Sequence, residues 1–121
     1  MEREIKFRAK SIDNLQWCYG IMHNDGMTLF PVRVDKETIC QFSGMRDKNK
    51  KEIYDGDILK ATYGHIYKVE YYECNAAFML ICYDERIDDY IGYFDTENSF
   101  EVIGNIYDNP ELLEIKPWNI I

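Results

Sequence analysis

Histidine, proline and long apolar runs are scarce in this 121-residue chain. Only His23 and His65 occur, far apart and outside any H-E-x-x-H pattern, so a histidine-based zinc site is excluded. No stretch approaches the ~18 apolar residues of a membrane helix. The opening MEREIKFRAK has no hydrophobic segment behind its charges, so no secretory signal is read and cytoplasmic residence is expected. Cys18, Cys40, Cys74 and Cys82 form no C-x-x-C pair, which leaves reduced thiols as the expectation. Cys74 and Cys82 are the one pair that a hairpin would set face to face. Also missing are G-x-S-x-G, G-x-G-x-x-G and G-x-x-x-x-G-K, so no nucleophile elbow or phosphate loop is read. No catalytic residue, cofactor or metal is therefore assigned, and a non-enzymatic protein is expected.

A basic field is lacking too. The net charge is −8, and it is uneven. Residues 1–69 carry 12 Lys and Arg against 10 Asp and Glu, whereas residues 70–114 carry 12 acids and only Arg86. That balance argues against nonspecific binding to nucleic-acid phosphates. The densest acidic cluster is Asp84, Glu85, Asp88 and Asp89. It has neither the alternation nor the glycine of a calcium loop. It reads as a charged loop over 84–89 and as the candidate face for a partner protein. The only local basic stretch is Arg46, Lys48, Lys50 and Lys51. Interleaved with Asp47 and Glu52, it reads as a solvated hairpin tip, and it carries the alternative function of a small nucleic-acid-associated regulator.

What the chain has in quantity is strand pattern. Ten tyrosines and an aromatic content of 15% suit half-buried strands. Ile5, Phe7 and Ala9 alternate with Lys6, Arg8 and Lys10. Trp17, Tyr19 and Ile21 follow after an Asp13-Asn14 turn, giving an antiparallel hairpin. Asn24-Asp25-Gly26 marks a turn before an edge or bent segment around Pro31. Asp35 caps a short turn, and residues 38–43 form the next strand. Gly44 ends that strand. Asp47 to Lys50 make a polar turn with Asn49 as the residue for positive φ. Residues 52–54 are extended, and Asp55-Gly56-Asp57 is a second turn, with carboxylates that accept backbone N–H groups.

Strands then follow at 58–63, 66–72, 77–83, 90–94 and 100–106, with a turn at Asn75-Ala76. The apolar 77–83 reads as a central strand. Asn109 caps a short C-terminal helix starting at Pro110, anchored by Leu112 and Leu113 and ended by Pro117. The fold class is mainly β (α+β). A small strand-rich N-terminal lobe over residues 1–55 packs on an SH3-like barrel lobe over 56–121, and no linker separates them.

Three blocks resemble the YopX family of proteins encoded by phages and prophages: REIKFRAKSIDNLQWCYG, TICQFSGMRDKNKKEIYDGDILK and FEVIGNIYDNPELL. The middle block is similar to the family's Gly-x-x-Asp-x-Asn-Gly-x-x-Ile-Tyr turn. The chain departs from the family with Lys50 after the turn asparagine, where the family often has Gly, and with Lys10-Ser11 after the first strand, where it often has Trp-Asp. The resemblance implies an N-terminal lobe, a C-terminal SH3-like barrel and a phage or prophage origin, without a biochemical activity. Gly44, Asp47, Asn49, Gly56 and Asp57 match the family as turn formers. The reading is a phage accessory protein that binds a host or phage protein, with self-association a further expectation and no membrane partner.

Overall fold

A computed structural model describes residues 5–22, 28–82 and 87–113. The chain is mainly β, in two five-stranded antiparallel sheets. The first contains β1 (Lys6–Lys10), β2 (Trp17–Met22), β3 (Thr28–Leu29), β4 (Cys40–Arg46) and β5 (Glu52–Tyr54), in the order β3-β2-β1-β4-β5. The second contains β6 (Asp57–Ala61), β7 (Ile66–Tyr72), β8 (Ala77–Cys82), β9 (Ile87–Tyr90) and β10 (Phe100–Asn105), in the order β10-β6-β7-β8-β9. A single helical turn, α1 (Thr96–Ser99), leads into β10. Among the described residues β9 and β10 do not pair, so the second sheet is open at both ends.

The main core lies on the second sheet, around Leu59, Val69, Leu80 and Phe100. Ile53 of β5 is fully buried in that core, and Met45 of β4 packs against it. A smaller core of Cys40, Phe42 and Tyr54, with Trp17 against it, belongs to the first sheet.

Several local expectations change. Gly44 does not end its strand. At φ +87° it sits inside β4, where the register shifts between Phe42 and Arg46. The extra residues on β4 break its register with β5 as a bulge does. The positive φ of the following turn falls on Lys50 (φ 64°), not Asn49. Asp47 holds both the Asn49 and Lys51 N–H groups, which wraps the chain so that the residue between them turns left-handed. Residues 84–89 are not all loop: Ile87 to Tyr90 pair with β8, and neighbouring-strand pairing overrides the poor strand propensity of two aspartates. Residues 91–93 form a 3-10 turn rather than a strand, with Ile91 buried and Tyr93 exposed.

β8 is an interior, mostly buried strand paired with both β7 and β9, as its apolar run predicts, with β7 at the middle of the sheet. Cys74 lies in the β7–β8 turn, whereas Cys82 pairs with Tyr67 at the other end of the hairpin, and all four cysteines are free. The C-terminal element is a 3-10 turn, Pro110–Leu113, with Leu112 exposed rather than anchored. The Asn24-Asp25-Gly26 turn and Pro117 lie outside the described residues. Among those described, no helix is long and apolar enough to cross a membrane.

Candidate functional site

Alternation along β1 places Lys6, Arg8 and Lys10 on one face. Pairing adds Ile21, Tyr19 and Trp17 from β2, and Cys40 stands opposite Arg8 on β4. This basic face is not left to water. Lys6 lies over the Phe42 ring and Lys10 over Trp17. The Arg8 guanidinium carbon sits 4.5 Å from the Trp17 ring centre and 4.8 Å from that of Tyr54. Cations over aromatic faces are attracted by the ring quadrupole, most strongly where water is absent.

Arg8 Nη2 donates to Asp57 Oδ1 at 2.6 Å, with the two side chains only 7% and 1% exposed. Asp57 Oδ2 also accepts the Tyr54 N–H at 2.8 Å. Burial works against the Arg8 charge, but the Asp57 carboxylate outweighs it and holds the guanidinium above its ordinary value. Burial pushes the Asp57 carboxyl up, opposed by Arg8 and the Tyr54 N–H. Burial also pushes the Cys40 thiol up, despite the nearby guanidinium, so this sulfur is a packed thiol rather than a nucleophile. Arg8 Nε is the one buried side-chain polar atom without a partner among the described residues.

The Asp55-Gly56-Asp57 corner ties this face to the second sheet. Asp55 N–H donates to Gln41 O of β4 at 3.0 Å, Gly56 N–H to Val69 O of β7 at 2.8 Å, and Ile106 N–H to Gly56 O at 2.9 Å. Asp55 Oδ1 accepts from Tyr71 N–H at 3.3 Å. Gly56 has φ +89°, and a Cβ there would meet the Tyr107 ring at 3.4 Å, so both conformation and space favour glycine.

Asp47 makes a second tie. Besides its own turn, it accepts the Val102 N–H of β10 at 2.9 Å, and Lys48 N–H donates to Phe100 O at 2.9 Å. Asp47 and the Lys48 backbone thus anchor the turn to β10, while Arg46, Lys48, Lys50 and Lys51 stay exposed as a solvated tip. Its charges are partly matched, Arg46 by Glu52 and Lys48 by Glu101, each at 3.6 Å.

A third tie comes from the end of β10. Asn105 Oδ1 accepts the Tyr107 and Asp108 N–H groups, and Asn109 Oδ1 accepts that of Asn105. A Cβ on Gly104 would lie 2.6 Å from Asn109 Oδ1, so this hook needs glycine. The hook aims Asp108 at the first sheet, where it pairs with Lys10 and accepts Trp17 Nε1–H at 2.9 Å. These hydrogen bonds, led by that of Lys10, hold the Asp108 carboxyl low, at about 2. Tyr107 OH donates to Glu37 O at 3.2 Å.

Two surfaces remain outside this seam. Of the candidate acidic residues, Asp84 and Glu85 lie outside the described residues. Asp88 and Asp89 sit on β9, the last strand of its sheet. Asp88 accepts from Tyr72 OH at 2.8 Å, and that bond leads in pushing the phenol up to about 12. Beside them a shallow cavity of ≈ 470 Å³ is lined by Phe78, Tyr90, Ile91 and Tyr93, and the two tyrosine rings meet edge to face. The second surface is the face of the first sheet opposite Arg8. There Phe7, Ile12, Phe30 and Ile39 line a groove of ≈ 520 Å³, together with Arg33 and Lys36.

Sequence reasoning did not single out Arg8, Trp17 or Asp108, nor the groove. The signal for the first three lay in the quoted blocks themselves, whose polar residues need partners once strands bury them. No group of three or more His, Cys, Asp or Glu is placed to hold a metal ion among the described residues.

These features define a small two-sheet β protein whose buried polar residues are concentrated at the seam between the sheets. Each of the three sequence blocks supplies one side of that seam: Arg8 and Lys10 from the first, Asp47 and Asp57 from the second, Val102 and Asp108 from the third. The chain belongs to the YopX family, whose model, described as YopX protein, matches residues 2–114. No curated protein matches the chain.

Proposed function

We propose that the chain is a phage or prophage accessory protein of the bacterial cytoplasm that acts as a non-enzymatic protein-binding module. The observation that carries this reading is the β9 edge. It combines Asp88 and Asp89 with Tyr90 and the 75% exposed Tyr93, beside a shallow apolar cavity. Tyrosine gives large contact area at small entropic cost and is enriched at interfaces. The outer edge of β9, which pairs with no other strand among the described residues, adds backbone donors and acceptors for a partner segment.

Against catalysis stands the seam, where acids and bases satisfy one another instead of converging on a cleft. Against the nucleic-acid alternative stands the 46–51 turn, whose basic residues are partly matched by Glu52 and Glu101. A gel-shift titration across salt concentrations tests that alternative, which requires salt-sensitive binding.

We read the second sheet as SH3-like, five short antiparallel strands reached through the Gly56 corner, with residues 1–55 and 56–121 as two lobes of one unit. The functional test is a pull-down from host lysate at low and moderate salt. A saturable protein partner is expected, and it should be lost when Asp84, Glu85, Asp88 and Asp89 are all changed to Asn or Gln. Capture that survives this change removes the acidic edge from the mechanism.

A further inference from the structure

We propose that the acidic, tyrosine-bearing β9 edge of one chain docks into the Phe7–Phe30 groove of a second copy. This rests on reading β9 as a binding edge, and it names the occupant. The groove lies on the face of the first sheet opposite Arg8, where apolar side chains remain partly open. Trp17, Phe42 and Tyr54 sit on the Arg8 face. On the other face Ile12 is 48% and Ile39 40% exposed, and Val32 close by in sequence is 45% exposed. Such a cluster of exposed apolar side chains marks a contact surface more often than isolated residues do.

The groove's charge is the opposite of the β9 edge. Arg33 and Lys36 line it, and neither forms an ion pair among the described residues. The neighbouring Asp35 turns its carboxylate back to accept the Glu37 N–H at 3.0 Å, capping a 3-10 turn. Among the described residues no acid lines the groove. The chain's own complement to an apolar trough flanked by cations is a ring flanked by carboxylates. Tyr90 and Tyr93 with Asp88, Asp89 and Asp95 supply that pattern on the other sheet, within a region of strongly negative charge.

Because the two surfaces differ and lie on different sheets, the contact is head-to-tail. A head-to-tail contact leaves one unused surface at each end of a pair, so association grows beyond two chains or closes into a ring. The contact is small and partly electrostatic, hence weak and salt-sensitive.

The test is analytical ultracentrifugation of the purified full chain over a wide concentration range, at about 0.05 M and about 0.5 M salt. The mass should rise above the 14.5 kDa of one chain with concentration, and less so at high salt. Two variants separate the surfaces: Arg33→Glu with Lys36→Glu in the groove, and Asp88→Asn, Asp89→Asn with Tyr93→Ala on the edge. Circular dichroism verifies that both fold. Each alone should stay at 14.5 kDa. Mixed in equal amounts they should form a two-chain species and nothing larger, because each retains the surface the other lacks.

A single-chain mass under every condition overturns the proposal. So does association that survives either variant, which would mean a contact between like surfaces, or variants that fail to pair when mixed. A monomer that still captures a lysate protein through β9 sinks self-association alone and leaves the binding-module reading standing.

Discussion

Removing the Asp57 charge should unfold this protein more readily than any surface change. Asp57→Asn keeps an oxygen for the Tyr54 N–H but leaves the Arg8 guanidinium buried without its counter-charge. Stripping one partner from a buried ion pair costs about 3–5 kcal/mol. The Trp17 and Tyr54 rings still flank the cation, which places the expected loss near the lower end, about 3 kcal/mol. For a chain of this length that lowers Tm by roughly 12 °C. Arg8→Met removes the other partner and lets a thioether fill the slot between the rings. Combined with Asp57→Asn it should cost less than the sum of the two single changes, with a coupling of about 2–3 kcal/mol.

The pH dependence of Arg8→Met gives a sign check. Without Arg8, the Asp57 carboxyl, already raised by burial, rises further. A carboxyl whose folded value is raised contributes stability below its unfolded value and loses it as pH rises through the folded value. The deficit of Arg8→Met should therefore be largest at neutral pH and shrink toward about pH 4. Urea titration followed by tryptophan fluorescence reads all of this. A loss below about 1 kcal/mol for Asp57→Asn with an unchanged m-value, or additive single changes, would refute the reading of Arg8 and Asp57 as a buried pair whose members depend on one another.

Lys50 occupies a left-handed conformation at φ 64°, so Lys50→Gly should raise stability by about 1 kcal/mol in the same urea titration. Asp47→Ala strips acceptors from three backbone N–H groups and should cost about 2–4 kcal/mol, with hydrogen exchange accelerated at Asn49, Lys51 and Val102 together. Burial raises the Asp55 carboxyl. Asp55→Asn should therefore match the parent in acid, where that group is neutral, and gain on it as pH rises through the raised value, as thermal melts across pH would show.

The strands legible in the sequence were those whose alternation continued for five or more residues, such as Lys6–Lys10 and Ile66–Tyr72. Alternation says which residues share a face, but not whether that face is wet. On β1 it grouped Lys6, Arg8 and Lys10 correctly and gave no hint that Arg8 is 6% exposed. Its partner is 49 positions away, and Asp57 on its own looked like a turn former. The β9 strand was hidden for a different reason: two aspartates in four residues carry little strand propensity, and only pairing with β8 makes them one. The positive φ at Lys50 escaped because it follows from the reach of the Asp47 carboxylate across four residues, not from Lys50 itself.

The same limit explains why the most recognisable segments are the least informative about function. A residue such as Asp47, fixed by three backbone N–H groups from two sheets, is over-determined by architecture. So is Gly104, where any Cβ collides with Asn109. Residues of this kind form sequence patterns because the seam tolerates few alternatives at those positions. The β9 edge and the Phe7–Phe30 groove are under no such constraint: Ile12, Ile39 and Tyr93 are exposed, and other residues would fit the fold equally well. Substitutions of these exposed residues should therefore leave urea stability within about 0.5 kcal/mol of the parent, and on the proposed reading they change binding instead.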